Sequence, residues 1–287
     1  MAWWHVFFMI GFRNIGIQIL IRSGINTLYQ RSFLRRGLIL LGYHSIVEKS
    51  GTQQFRANTY SHLSISRDRF EEHIIYLKKH RYEFLSLEDL ADIRDGKRQM
   101  PLRAVNIYFD DGFHDNLAHA YPILKKYKVP ATLFVATDLI DQKKTLWEDV
   151  LVAAGDGRIF LTWDELNNMK DMVSIGSHSV SHPKMTNVQS DALKYEFRAS
   201  RERIEQQLHM PVYAFSYPYG RSNSDTRAYL IECGYTMAVT TLYGANTSNF
   251  DWLRMRKISM KANDSFSMFR LKLGLYYPIK NILEKFL

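Results

Sequence analysis

The 287-residue sequence predicts an α/β fold built on a parallel sheet or barrel. Short apolar runs that read as strands alternate with amphipathic stretches of helical period, which calls for a parallel sheet or barrel. Four of the runs end in polar clusters, at His44, Asp110-Asp111, His178 and Tyr217-Pro218-Tyr219-Gly220. The C-terminal ends of barrel strands are where such folds build their sites. No internal repeat, low-complexity tract or linker divides the body of the sequence.

Taken in order, Leu38-Ile39-Leu40-Leu41-Gly42-Tyr43 is apolar throughout, as a strand buried on both faces must be, and it stops at His44. Residues 50–66 read as a loop. Ser66 caps a helix that runs to His80 and carries Phe70, Ile74, Ile75 and Leu77; Ser86 opens another. The strand 104–109 runs directly into Asp110-Asp111-Gly112. A helix is expected over 116–126, a strand over 131–135, a short helix over 163–169 and a strand end over 173–178. Residues 191–208 form a long helix rich in i,i+4 charge pairs. A strand over 212–216, a helix over 225–233 and a strand over 237–241 complete the alternation.

Composition excludes several classes. Hydrophobic residues at 46% and charged residues at 23% rule out a disordered chain or a disulfide-stapled miniprotein. The single cysteine, Cys233, has no intrachain disulfide partner, which fits a reducing compartment. The net charge of +9 sits at the ends: residues 1–40 hold five arginines and no acid, and residues 254–287 hold eight basic residues against Asp264 and Glu284. The body between them is nearly neutral, which argues against a nucleic-acid partner.

The chemistry lies in the strand-end clusters. Adjacent carboxylates at a strand end point in different directions, so one of Asp110 and Asp111 can bind a cation while the other stays free as a base; the same tripeptide is also a common turn. His178 and His182 are four apart, and on a turn of helix their imidazoles would converge on one side. With one aspartate they make a two-imidazole, one-carboxylate site that leaves coordination positions open.

Phe109-Asp110-Asp111-Gly112, His178-Ser179-x-x-His182-Pro183 and Phe215-x-Tyr217-Pro218-Tyr219-Gly220 resemble, in order and spacing, the successive motifs of the polysaccharide deacetylase family, the NodB-homology or carbohydrate esterase family 4 group. Leu41-Gly42-Tyr43-His44 resembles the early Tyr-His motif of its poly-N-acetylglucosamine deacetylase branch. The resemblance implies an irregular (β/α)7 barrel that removes acetyl groups from sugars with one divalent metal, commonly zinc, with cobalt or nickel as alternatives. Carried over by position, it implies Asp110 as general base, His44 as general acid, Asp111, His178 and His182 as metal ligands, and the Tyr219 backbone N–H as an oxyanion donor. Other Trp and Arg positions stand as candidate sugar contacts: Trp147, Trp163, Trp252 and Arg254.

Two departures from the family pattern stand out. The arginine that orients the base in the classical branch is replaced by Ser216, with Arg254 as a candidate substitute, and the late histidine of that branch is absent, since no histidine follows His209. The expected partner is an N-acetylated sugar of a surface polysaccharide, a glycan or a lipid-linked glycan precursor. The alternatives are a carbohydrate-binding relative that has lost its chemistry, or a metal-dependent amidohydrolase or esterase on another acyl substrate.

The sequence divides into residues 1–37, apolar and basic; 38–260, the deacetylase-like domain; and 261–287, a basic amphipathic helical extension. The first twelve residues, with Trp3, Trp4, Phe7, Phe8 and Phe12, are too few to span a bilayer and lack the basic lead-in of a signal peptide. As a helix with Arg22 on its polar side, this end suits the surface of an anionic membrane. The expectation is peripheral membrane association, on the cytoplasmic side. The C-terminal stretch, with Ile279, Ile282, Leu283 and Phe286 at helical spacing, is expected to pack on the domain.

Overall fold

The computed structural model describes residues 19–32, 34, 37–48, 61–142, 159–247 and 249–283. Seven parallel strands close into a barrel: β1 (Leu38–Tyr43), β5 (Ala104–Phe109), β6 (Ala131–Val135), β7 (Val173–Ser177), β8 (Ala214–Ser216), β9 (Met237–Tyr243) and β10 (Met255–Ser259). Closure comes from β1, which pairs with β5 along its whole length (Leu38↔Ala104 to Tyr43↔Phe109) and with β10 on its other edge (Leu41↔Ile258, Gly42↔Ser259).

The period-2 alternation of strands sorts the side chains into two layers. Leu38, Leu40, Tyr108, Phe134, Ala214, Met237, Val239 and Met255 point inward and fill the barrel. Ile39, Leu41, Val105, Ile107, Leu133, Ile175, Phe215 and Ile258 point outward, under the helices. Gly42 is the inward exception on β1: a Cβ there would overlap the Tyr108 ring, so its absence lets that ring cross the lumen. The lumen's floor is closed by Leu85, Leu87 and Leu90, with Trp252 packed beside them.

Helices cover the outside: α1 (Ile25–Ser32), α2 (Arg67–Lys79), α3 (Leu87–Arg94), α4 (Tyr121–Tyr127), α5 (Thr137–Ile140), α6 (Trp163–Asn168), α7 (Ser190–Leu208), α8 (Ser224–Glu232), α9 (Phe266–Lys272) and α10 (Tyr276–Leu283). Ser66, Ser86, Thr162, Asn223 and Ser265 cap five of them by accepting backbone N–H bonds, which fixes where α2, α3, α6, α8 and α9 begin. The helical stretch at 116–126 starts with a π-turn at Asn116–Ala120, separated by three residues from the Asp-Asp-Gly segment.

Three strand features differ from the expectation. β2 (Ser45–Val47) and β3 (Ser64–Ser66) form a two-stranded sheet outside the barrel, so the end of the expected 50–66 loop is extended structure; residues 50–60 lie outside the described residues. The short β4 (Glu83–Phe84) pairs with the lower end of β5, where β6 has not yet begun. Strand β10 escaped the sequence reading because Arg256 and Lys257 break its apolar run; Arg256 faces solvent and Lys257 points into the top of the barrel.

The C-terminal stretch packs on the barrel. Phe269 and Leu273 join the outer core, and the buried Lys272 ammonium donates to the Ser259 carbonyl at 2.8 Å. Helix α1 docks on the same stretch: Asn26 Nδ2 donates to the Arg270 carbonyl at 2.8 Å and its Oδ1 accepts from the Leu275 N–H at 2.9 Å. The apolar run at residues 1–12 lies outside the described residues.

Candidate active site

Each polar cluster leaves the top of its strand and meets the others over the barrel mouth. β1 delivers His44, β5 delivers Asp110 and Asp111, β7 delivers His178, and β8 delivers Tyr217 and the turn through Tyr219. With Thr241, Lys257, Ser259, Lys261 and His62 they line a cleft of about 330 Å³.

Asp111 sits between two imidazoles. Its Oδ1 lies 3.4 Å from His178 Nε2 and 3.3 Å from His182 Nε2, and one ligand atom from each of the three residues falls within 4.8 Å of the others. Tetrahedral ligands about 2.1 Å from a zinc ion stand roughly 3.4 Å apart, so the spacing suits one divalent cation. The His178 Nδ1–H donates to the Ser216 carbonyl at 2.6 Å, which in the neutral ring leaves the Nε2 lone pair turned toward Asp111. Burial alone would raise the Asp111 carboxyl, but its contacts with the His178 and His182 rings outweigh it and hold the group well below the usual carboxylate range.

The two histidines do not ride on a helical turn, contrary to the sequence expectation. Ser179 and His182 take left-handed backbone (φ 74° and 58°), and the His182 N–H donates to Ser179 Oγ at 3.0 Å, so the loop folds back and brings the rings to a centroid distance of 4.8 Å. The loop is pinned from α7 by Glu196, whose buried carboxylate accepts from Val180 N (2.8 Å), Ser181 N (2.9 Å) and Ser181 Oγ (2.6 Å). Sequence reading placed Glu196 among ordinary helix charges. Its burial depends on which face of α7 meets β7, which no local pattern states.

Asp110 points the other way. Its Oδ2 lies 3.9 Å from His44 Nε2 and 3.8 Å from Lys257 Nζ, while its Oδ1 is buried with no hydrogen-bond partner among the described residues. An orphaned carboxylate oxygen beside a cation site is open to a water or a ligand. Burial pulls the His44 imidazole below its ordinary value, against the opposing pull of Asp111 and Asp110. Tyr43, the neighbour of His44 in sequence, is part of the core: its hydroxyl shares a 3.0 Å hydrogen bond with His73 Nδ1, and its ring meets Phe70 edge-on at 5.1 Å.

Tyr219 borders the cleft with its ring 5.0 Å from that of His182 and its own backbone left-handed (φ 56°). The next residue, Gly220, must be glycine, because φ is 65° and a Cβ would overlap Thr241. With Asp111 (φ 76°), four strained non-glycine residues cluster here, and such strain of about 1–3 kcal/mol each gathers at functional sites.

The remaining sequence candidates fall elsewhere. Arg254 and Trp252 precede β10 at the opposite end of the barrel, where Arg254 is exposed and Trp252 packs on Phe250 at 4.6 Å; neither reaches the cleft. The cation facing Asp110 is Lys257, three residues later in the same segment, because only alternate β10 positions turn into the barrel. Trp163 is an outer packing residue, its indole N–H bonded to Asp141 at 2.6 Å and the Arg203 guanidinium 5.7 Å over its ring. Trp147 lies outside the described residues.

Comparison with known proteins agrees with this geometry. Residues 97–238 match the polysaccharide deacetylase family model. The chain is 28% identical over 236 residues to the Bacillus subtilis protein YxkH, whose name assigns it to the polysaccharide deacetylases, covering 81% of this chain and 74% of that one. It is 26% identical over 194 residues to the poly-beta-1,6-N-acetyl-D-glucosamine N-deacetylase of Staphylococcus aureus, covering 65% of this chain and 66% of the relative. In structure it is similar to the Streptococcus pyogenes deacetylase PplD solved with acetate, at TM-score 0.70 and 27% identity over 83% of this chain and 98% of that one. It shares its fold with IcaB from Ammonifex degensii, at TM-score 0.66 and 22% identity over 83% and 97% of the two chains.

Proposed function

Because the chain belongs to the polysaccharide deacetylase family, we propose that it is a metal-dependent carbohydrate deacetylase that hydrolyses the N-acetyl group of an N-acetylated sugar, in a surface polysaccharide, a glycan or a lipid-linked glycan precursor. The observation that carries this reading is the pairing of two carboxylates with opposite surroundings: Asp111 locked between two imidazoles, and Asp110 beside it with one buried oxygen unpartnered.

A divalent ion held by Asp111, His178 and His182, zinc or else cobalt or nickel, would polarise the acetyl carbonyl and ready a water for attack. Asp110 takes the proton of that water, and Lys257 steadies the carboxylate that must accept it. The Tyr219 N–H, in the left-handed turn before Gly220, would serve as the oxyanion donor. His44, on the same oxygen of Asp110, delivers a proton to the departing sugar amine.

The test is acetate release from N-acetylated glycans together with metal content, for wild type and Asp110→Asn. The variant should bind metal normally and lose roughly 10²–10⁴ in rate. Undiminished release by Asp110→Asn would remove the assigned base, and a wild type that releases no acetate would remove the deacetylase reading.

The N-terminal end supports peripheral binding to an anionic membrane. The aromatic run at 1–12 leads into residues 19–28, where Ile19, Ile25 and Leu28 are exposed beside an exposed Arg22. Among the described residues no helix is long and apolar enough to cross a membrane. Sedimentation with anionic liposomes should fall sharply when residues 1–36 are removed; equal partitioning of both forms refutes the membrane role.

A further inference from the structure

Close to the acid–base pair lies a third carboxylate, which the proposed chemistry does not use. Asp115 follows the Asp-Asp-Gly turn, and its side chain is directed at the segment just after His44. Ser45 Oγ donates to its Oδ2 at 2.5 Å, and the Ile46 N–H donates to its Oδ1 at 3.1 Å. Its neighbour Asn116 completes the grip from the same loop. The Asn116 Nδ2 donates to the His44 carbonyl at 3.0 Å and to the Phe113 carbonyl at 2.9 Å, and lies 3.3 Å from Asp115 Oδ1. The residues on both sides of the His44–Ser45 peptide are therefore tied to the loop that carries Asp110 and Asp111.

Register alone does not do this. Strand pairing between β1 and β5 ends at Tyr43↔Phe109, with one further bond from the Asp110 N–H to the Tyr43 carbonyl at 3.1 Å. Beyond that point His44 and Asp110 ride on two separate loops, yet their side chains stand 3.9 Å apart. A buried carboxylate is a costly way to join two loops, and burial pushes the Asp115 carboxyl up to about 7 against the help of Ser45 and Ile46. An apolar contact would pack the loops together without fixing their spacing, whereas two directed hydrogen bonds fix it.

We propose that Asp115, with Asn116, is a positioning residue that sets the His44 imidazole against Asp110. This rests on the deacetylase reading for its kinetic consequence, but not for its structural one. The side chain of Asp115 acts through the backbone of residues 44–46 and touches neither substrate nor metal ligands.

The experiment is a double-mutant cycle between Asp115 and His44, run on zinc-loaded protein with acetate release as the rate. Asp115→Ala alone should lower kcat by about 10- to 100-fold with bound zinc unchanged. Asp115→Asn, which keeps an acceptor for the Ile46 N–H and an amide for the Ser45 hydroxyl, should lose less. In a His44→Ala background, Asp115→Ala should cost no more than about twofold further, because the group it positions is gone. Costs that multiply, or an Asp115→Ala enzyme with wild-type kcat, overturn the proposal. A second readout does not need deacetylation: in NMR spectra of the zinc-loaded protein, the His44 ring resonances should move in Asp115→Ala while those of His178 stay. Unmoved His44 resonances overturn the positioning role even if every variant releases acetate. A wild type that releases none, with His44 resonances that do move, sinks the deacetylase reading and leaves the clamp standing.

Discussion

Lys257 holds its ammonium 3.8 Å from Oδ2 of Asp110, the same oxygen that His44 Nε2 approaches to 3.9 Å. Three strands meet at that atom: β10 supplies the lysine, β5 the aspartate and β1, lying between them, the histidine. The cation is buried, so its field on the carboxylate is poorly screened.

If Lys257 keeps Asp110 oriented, removing its charge should cost rate without costing metal. Lys257→Met is expected to lower kcat by about 10- to 100-fold while zinc content stays at the wild-type level. Lys257→Arg should recover part of the loss. A Met variant with wild-type kcat would show that the ion pair is idle.

Glu196 pins the loop that carries both histidines, through three hydrogen bonds from Val180 and Ser181. Glu196→Ala leaves two buried backbone donors without their acceptor and frees His182 to wander. Zinc affinity, measured by competition with a chromophoric chelator, should weaken by about 10- to 100-fold. Unchanged affinity would mean that the left-handed turn holds its shape unaided.

Metal removal offers a third check. Dialysis against a strong chelator should abolish acetate release, and added zinc should restore it. Asp111→Ala should stay inactive after the same addition, because the carboxylate that joins the two imidazoles is missing. Full activity of the chelated protein would rule out the metal-dependent route.

His73 governs a pH effect on stability rather than on rate. It is fully buried, stacked on Phe269 at 3.9 Å and bonded to Tyr43, and burial lowers its imidazole from 6.5 to about 3. Above pH 6.5 the folded and unfolded chains both keep it neutral, and it contributes no pH dependence. Below that, the unfolded chain takes up a proton that the fold refuses. Stability should therefore fall by up to about 1.4 kcal/mol per pH unit until the folded value is reached. His73→Gln, which keeps an acceptor for Tyr43, should lose roughly 2–3 kcal/mol less than wild type between pH 6 and pH 4 in urea titrations. Identical acid slopes for the two proteins would exclude this origin.

Much of this molecule is legible in one dimension. Mostly apolar runs read as strands buried on both faces, and their alternation with capped, amphipathic stretches implies a parallel sheet or barrel, which the family resemblance narrows to the barrel. Polar clusters at the ends of those runs name Asp110, Asp111, His178, His182 and His44, because a residue type and a strand end are both local properties. The cation opposite Asp110 is different. Arg254 and Lys257 are equally basic, three positions apart, and they part company only once β10 has a register on β1 and β9 that turns one of them inward. Glu196 escaped for the same reason: a carboxylate on a helix looks solvated until the opposite wall of the fold covers it.

Local pattern and periodicity were thus sufficient for the α/β class and for the chemical groups at the strand ends, and the motif resemblance supplied the barrel. Three-dimensional packing alone selected Lys257 over Arg254, folded the His178–His182 loop into a left-handed turn instead of a helix, and set the 3.9 Å between His44 and Asp110. The physical reason is that distances between residues far apart in the chain depend on strand register and loop cross-ties, and those energies belong to pairs of segments that no single stretch of sequence contains.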